Sequence, residues 1–153
     1  AGTATASLVA QLAVAGVTVT DAGEGGPLAT AADVLFCGSK TGLVDHHGAA
    51  SLPHRFVVPV GPVPVTARGL AVAHRNGVVV LPDFVTTVGP LVGWTSPEGT
   101  PLEESLDAVV GTVTELVARC LAHPENPTLG GCAVAEEFLS TWQDELPFGR
   151  PMA

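Results

Sequence analysis

Polar and small residues stand at the points where two short apolar runs of the sequence end. Asp21 directly follows the run Val17–Thr20, and the run Asp33–Cys37 is followed by Gly38 and Ser39. Open parallel sheets bind ligands at the carboxyl ends of their strands. A carboxylate there can accept hydrogen bonds from ribose hydroxyls, and small residues let a ligand approach the backbone. These two strand ends are therefore the first candidates for a ligand site.

Two other groupings of reactive side chains have weaker support. Side chains able to bind a metal occur at Asp45, His46, His47 and His54. Neighbouring residues on a helix do not face each other, so we interpret this stretch as an exposed helix start rather than a metal site. Cys37 would need a nearby base to be a nucleophile, and the sequence places no histidine beside it. No serine lies in a G-x-S-x-G elbow.

The elements that hold these positions alternate between helix and strand. A helical apolar period runs from Ser7 to Gly16, where the glycine ends the helix. Short apolar runs follow at 17–20, 33–37, 56–60 and 78–81, with intervening helices that Asp45 and Thr66 can cap. Continuous apolar strands are typical of parallel strands covered on both faces. The pattern predicts an α/β fold with a doubly wound, mostly parallel sheet.

The sequence after Trp94 is predicted to be mainly helical. A 3.6-residue apolar period over 102–122 indicates a long helix that packs one face on the domain. A second helix is predicted from about Cys132 to Asp144. We therefore divide the chain into a core containing the sheet, residues 1–94, and a helical extension packed on the same domain, residues 95–153.

Composition and charge exclude several classes of partner. The 153 residues are 46% hydrophobic and 14% charged, a composition typical of one globular domain. Six Lys and Arg against fifteen Asp and Glu give a net charge of −9, so neither nucleic acid nor a membrane surface is an expected partner. Three cysteines without a CxxC pair are expected to be small buried side chains. With no signal-peptide pattern and no membrane-spanning stretch, we expect a cytoplasmic protein.

Three stretches in the middle of the chain carry motifs of one enzyme family. Ala32–Leu35 and the small-residue loop after it are similar to a CD-V/I-L-x-P-C/A-A strand and loop. Residues 57–77 align without gaps to VVEGANGPTTPEA…ER-G, with shared residues at Pro64, Thr66 and Gly77. Val80–Phe84 is similar to a VPDF strand end. In these motifs the chain resembles the carboxyl-terminal, NAD(P)-binding domain of the glutamate, leucine, phenylalanine and valine dehydrogenases.

This resemblance, which covers roughly residues 2–122, implies a Rossmann-like domain that binds a nicotinamide dinucleotide. In such domains a glycine loop lets the pyrophosphate approach a helix N-terminus. Gly2 falls on the loop's second glycine when Gly16 is aligned with the glycine that ends the family's first helix. The cofactor-binding residues implied are Gly2, Thr3, Ala4, Asp21, Cys37, Gly38 and Ser39. Asp21, with Glu24 as the second candidate, favours NAD because a carboxylate would repel the 2′-phosphate of NADP.

Several parts of the family's site have no counterpart in this sequence. The first strand and the first glycine of the loop are not part of the given sequence. Pro62 and Thr87 stand where the family has asparagines, and Pro90 stands where it has a glycine. A proline cannot replace an amide that both donates and accepts hydrogen bonds. The family's proton-transferring lysine and aspartate lie in a substrate domain, and Lys40 is not in a matching context, so the catalytic residues are unknown.

Two functions are consistent with these observations. The first is the NAD-binding part of an amino-acid dehydrogenase, which performs oxidative deamination of an amino acid by hydride transfer and is inactive without a substrate domain. The alternative is a catalytically inactive Rossmann-like subunit that binds a partner or ligand. Without a first strand, 17–20 and 33–37 would each present an unpaired edge. We expect either a strand from a complementary or identical chain between them, or direct pairing of the two.

Overall fold

The computed structural model describes residues 6–20, 24–38 and 40–141. Three short strands form a parallel sheet in which each strand pairs with the next along the chain. They are β1 (Val34–Cys37), β2 (Phe56–Pro59) and β3 (Val79–Val80). The register places Val34 beside Phe56, and Phe56 beside Val79.

Two helices connect the strands and begin where the sequence predicts them. The helix α2 (His46–Ala50) lies between β1 and β2, and α3 (Ala67–Arg75) lies between β2 and β3. The Asp45 carboxylate accepts hydrogen bonds from two amides in the first turn of α2. Thr66 Oγ1 accepts from the Gly69 amide at 3.0 Å. Parallel strands joined by packed helices confirm the expected Rossmann-like α/β fold.

The main core lies on one face of this sheet. Alternate strand residues point into it and are joined by apolar side chains from α2, α3 and the loops, the buried set being Leu35, Cys37, Val44, Ala49, Val57, Val65, Ala73, Val78 and Val80. On the opposite face of β1, Val34 is 40% exposed and Phe36 is 67% exposed. The expectation that every strand is covered on both faces is therefore wrong for β1. No described element covers this face of β1 sufficiently to bury its two apolar side chains.

The predicted strand at Val17–Thr20 is also wrong. These residues follow α1 (Ala6–Val14), which ends as expected at Gly16 with a positive φ of 77°. They form no strand, and Val17 and Val19 are 48% and 43% exposed. β-branched residues favour strands only where a neighbouring strand supplies ladder hydrogen bonds and cross-strand packing. Within the described residues this segment has no such neighbour, and it does not pair with β1.

Four helices follow the sheet: α4 (Asp83–Thr86), α5 (Gly89–Trp94), α6 (Leu102–Leu121) and α7 (Pro127–Leu139). The predicted start of α7 near Cys132 is wrong by about one turn or more. Asn126 Oδ1 accepts from the Leu129 amide at 3.0 Å, and Pro127 occupies the first turn. The helix begins early because a capping asparagine followed by proline is a start signal, which the apolar pattern from Cys132 onwards does not include.

The contact between α6 and α7 is close, but much of α6 is exposed. A Cβ added to Gly130 would lie 2.6 Å from the Cys120 carbonyl oxygen, so a glycine is needed where these helices meet. Leu106 and Val110 are 53% and 63% exposed, and the apolar face of α6 is thus only partly packed. Trp94 is 88% exposed and is not a core residue. None of the helices in the described ranges combines the length and the hydropathy needed to cross a membrane.

Candidate functional site

The carboxyl ends of the three strands bring together three loops, and the loop after β1 holds one of the positions that the sequence marks as a ligand site. Their described residues are 38 and 40–44 after β1, 60–66 after β2, and 81–82 after β3, which lead into Asp83 at the start of α4. They share one edge of the sheet because all three strands run in the same direction. This is the edge at which open α/β sheets bind ligands. We call it the carboxyl edge.

Backbone hydrogen bonds tie the first two loops together. The Val60 amide donates to the Cys37 carbonyl at 2.7 Å, and the Gly42 amide donates to the Val63 carbonyl at 2.9 Å. Val44 donates to the Pro64 carbonyl at 2.9 Å and accepts from the Thr66 amide at 3.0 Å. The carboxyl edge is therefore a surface in which hydrogen bonds between backbone groups hold the first two loops together.

Gly38 has a packing role in this surface. A Cβ on Gly38 would lie 2.8 Å from both the Gly61 nitrogen and the Val60 carbonyl carbon. Real Cβ atoms do not approach backbone this closely, so only glycine permits the loop after β1 to lie against the end of β2. The predicted cofactor contact of Gly38 is compatible with this position and stays a prediction.

Val63 is held in a strained conformation by Asp83. Its φ is 48°, the one positive value for a non-glycine residue in the described part of the chain. A β-branched residue is a true outlier there, and such strain collects at ligand sites. The Val63 amide donates to Asp83 Oδ2 at 2.7 Å, which pins the loop after β2 to the end of β3. Sequence reasoning missed this contact, although the gap-free match of 57–77 places Val63 on a glycine of the motif.

Replacing Val63 by glycine tests this strain. The left-handed conformation costs a residue with a Cβ about 1–2 kcal/mol, and glycine loses about 0.5–1 kcal/mol more on folding. We therefore expect Val63→Gly to leave the free energy of unfolding unchanged or to raise it by up to about 1 kcal/mol, measured by urea unfolding. Val60→Gly is the matched control, because Val60 is similarly exposed without a positive φ, and it should lower stability. Equal losses in the free energy of unfolding from both substitutions would contradict the assignment of strain to Val63.

Burial disfavours the thiol of Cys37 as a nucleophile. Cys37 is buried at the end of β1, and burial raises the pKa of its thiol. The thiolate is the reactive form, so a raised pKa lowers reactivity at neutral pH. Burial also raises the pKa of Cys120 and of Cys132. All three cysteines are free, as expected, and Cys37 and Cys120 are buried.

Only part of the predicted cofactor site can be located. Cys37 and Gly38 lie together at the carboxyl edge. The other five predicted residues, Gly2, Thr3, Ala4, Asp21 and Ser39, lie outside the described residues. Trp142 and the end of the predicted second helix also lie outside them.

The nicotinamide side of the predicted site has no amide at the positions the family uses. Pro62 is exposed in the loop after β2 and cannot donate from its backbone. The Thr87 hydroxyl donates to the Asp83 carbonyl at 2.7 Å and thus serves the end of α4. Pro90 lies in the first turn of α5. The differences from the family's sequence at Pro62, Thr87 and Pro90 are therefore also differences in the groups that the local structure offers to a ligand.

The histidine-rich stretch is structural in the described chain. Backbone hydrogen bonds from Gly48 and His47, the former the larger effect, lower the pKa of Asp45, whose carboxylate is the cap of α2. The rings of His46 and His47 lie 3.9 Å apart. His54 is buried, and its Nδ1 has no hydrogen-bond partner within the described residues. No three His, Cys, Asp or Glu side chains among those residues are placed to hold a metal ion.

Comparison with known proteins supports the fold. The sequence matches no protein-family model and no sequence of a curated protein. Its structure is similar to the crystal structure of L-tryptophan dehydrogenase from Nostoc punctiforme, with a TM-score of 0.65 over 85% of this chain and 15% sequence identity. The fold is Rossmann-like. The similar region covers 41% of that enzyme's chain, so the present chain corresponds to less than half of its length.

Proposed function

We propose that this chain is the NAD-binding part of an oxidoreductase resembling the amino-acid dehydrogenases, which perform oxidative deamination by hydride transfer. The observation that supports this most is its structural similarity to L-tryptophan dehydrogenase over 85% of the chain. The motif-like stretch 57–77 runs from β2 through α3, and its loop 60–66 lies at the carboxyl edge, where a cofactor would bind. Asp21 supports NAD rather than NADP.

The described residues fit the nicotinamide half of the cofactor poorly. Pro62 and Thr87 present no side-chain amide, and Asp83 Oδ2 is already bonded to the Val63 amide. The residues for the pyrophosphate and ribose, Gly2 and Asp21 among them, lie outside the described residues. We therefore propose that NAD binds weakly to this chain alone, and we assign no catalytic residue to it.

We further propose that another strand completes the sheet beside β1. The Asp33 and Cys37 carbonyls accept hydrogen bonds from β2 and the residue after it, so the backbone groups of Val34 and Phe36 point away from β2. The exposed side chains of these two residues add an apolar surface next to this free edge. A complementary or identical chain is the partner proposed for it.

The second candidate function is a catalytically inactive Rossmann-like module that binds a partner. The open edge of β1 and the loss of both amide positions favour it, because a binding module needs the fold and not the nicotinamide contacts. The two candidates differ in one measurable respect. Only the first requires NAD to bind at the carboxyl edge.

We also propose a cytoplasmic location. Three cysteines are present, and each is free. Free thiols are usual in reducing compartments, and disulfides are usual outside them. This proposal is independent of whether the chain has enzymatic activity.

Titration of the 15N-labelled chain with NAD, followed by NMR, distinguishes the two functions. We expect shifts of the carboxyl-edge amides, which are those of Cys37, Gly38, Gly61, Val63, Leu81 and Asp83, since residues 62, 64 and 82 are prolines. The expected affinity is two to three decades weaker than that of a complete site, since several donors worth roughly 1 kcal/mol each are missing. Asp21→Ala should weaken binding further, whereas Asp107→Ala on the exposed side of α6 should not. A low-micromolar Kd would contradict weak binding, and a response without shifts at the carboxyl edge would contradict the proposed function.

A further inference from the structure

A cleft lies beside β3, the last strand of the sheet, and away from the carboxyl edge. Its volume is about 980 Å³, within the range of ligand-binding clefts. Val78–Val80 form its floor. One wall is α3, from Leu70 to Arg75, and the other is the turn from Leu121 to Leu129 that joins α6 to α7. None of the loop residues at the carboxyl edge lines this cleft.

The floor of the cleft offers unpaired backbone groups. The Val79 amide donates to the Arg55 carbonyl at 2.9 Å, and the Leu81 amide donates to the Val57 carbonyl at 3.0 Å. Because backbone groups alternate sides along a strand, the N–H and C=O of Val80 point away from β2 and into the cleft. Within the described residues no strand pairs with this side of β3. A free donor and a free acceptor on one residue match the main chain of an extended peptide.

The polar groups around the cleft favour an acidic side chain. Arg75 has no ion pair within the described residues, whose salt bridge joins Arg119 and Glu137. The Glu125 amide donates to His123 Nδ1 at 3.3 Å, which leaves Nε2 as the ring nitrogen that can donate. Glu125 contributes one carboxylate to the lining. Among the described residues that line the cleft, Arg75 is the one with a permanent positive charge, and it is the group with which an acidic side chain would pair.

We propose that this cleft binds an extended peptide, which adds a strand to β3 through Val80 and places an acidic side chain beside Arg75. Successive side chains of a strand point to opposite faces. Those of the peptide would therefore contact the apolar residues of α3 on one side and of the α6–α7 turn on the other. A fatty acid could use Arg75 and the apolar walls, but it would leave the backbone groups of Val80 without partners.

The test is an NMR titration of the 15N-labelled 153-residue chain with the peptide acetyl-Leu-Val-Glu-Val-Leu-amide. We expect shifts of the Val78–Val80 amides and slower hydrogen exchange at Val80. The same peptide with the nitrogens of both valines and of the glutamate methylated keeps its side chains and loses main-chain donors on both of its edges, so its affinity should fall roughly tenfold or more. Arg75→Gln should weaken binding by roughly fivefold, and Arg68→Gln, on α3 but outside the lining, should not change it.

Three results would overturn the proposal. One is an absence of shifts at Val78–Val80 at millimolar peptide. Another is equal binding of the methylated and unmethylated peptides, which would show that the main chain is not recognised. The third is binding of octanoate in the cleft without binding of the peptide, which would make this a site for small carboxylates. Because the peptide comparison uses the unsubstituted chain, the outcome does not depend on how any variant folds.

Discussion

We expect no amino-acid-dependent NADH production by this chain alone. The assay is the absorbance of NADH at alkaline pH with leucine, valine, phenylalanine, glutamate or tryptophan as the substrate. At the carboxyl edge the Cys37 thiol is buried and its pKa is raised, and Asp83 is bonded to the Val63 amide. Neither of these two groups is therefore positioned as a free base, and proton transfer alone contributes roughly 10²–10⁴-fold to catalysed rates. The expected difference from a complete enzyme is therefore several orders of magnitude.

A complete amino-acid dehydrogenase in the same buffer is the positive control, because it shows that cofactor and substrates are competent. Turnover above background by this chain would contradict the prediction if Asp21→Ala removed it. Turnover that Asp21→Ala left intact would point to a contaminating enzyme, and repurification would then have to abolish it. A rate that survived both tests would also contradict the prediction.

The second prediction is that the chain associates through the edge of β1 that faces away from β2. Fully burying a phenylalanine side chain is worth about 1.5–3 kcal/mol, and about two thirds of Phe36 is exposed beside backbone groups that pair with no strand among the described residues. We therefore expect light scattering to give a mass above that of the 15.4 kDa monomer, rising with concentration. Phe36→Lys should return the chain to a monomer, because a lysine at a free strand edge opposes pairing.

Trp94→Lys is the matched control for this substitution. Trp94 is 88% exposed on α5 and is not part of the sheet. It should leave the mass of the assembly unchanged. A mass that fell with Trp94→Lys and not with Phe36→Lys would place the interface on the helical side of the molecule, and the proposed role of β1 would be wrong.

The sheet could be predicted from sequence because its strands are short apolar runs between clear helix signals. Asp45 and Thr66 cap α2 and α3 as expected, and Gly16 ends α1. The run at Val17–Thr20 has the same composition as a strand but forms none. The residue types of a run indicate only its preference for a strand. A strand also needs a neighbouring strand to pair with, and no short-range sequence pattern shows whether that neighbour is present.

The candidate site was harder to predict because its structure depends on contacts between distant loops. Asp83 reaches back twenty positions to bond Val63, and the close approach of Gly38 to the end of β2 is likewise long-range. The one usable signal was the glycine that the motif has at the position of Val63. One wall of the cleft beside β3 is the α6–α7 turn, and the sequence prediction missed it because the start signal at Asn126 and Pro127 was not used.

Hydrogen exchange at the β1 edge tests the central claim most directly, namely that this Rossmann-like sheet is completed by another strand. The Leu35 amide, which the register directs towards β2, is the internal reference for a bonded amide. We predict that the amides of Val34 and Phe36 exchange as slowly as that of Leu35 in the assembled protein. A monomer by light scattering, in which the amides of Val34 and Phe36 exchange freely, would contradict the account.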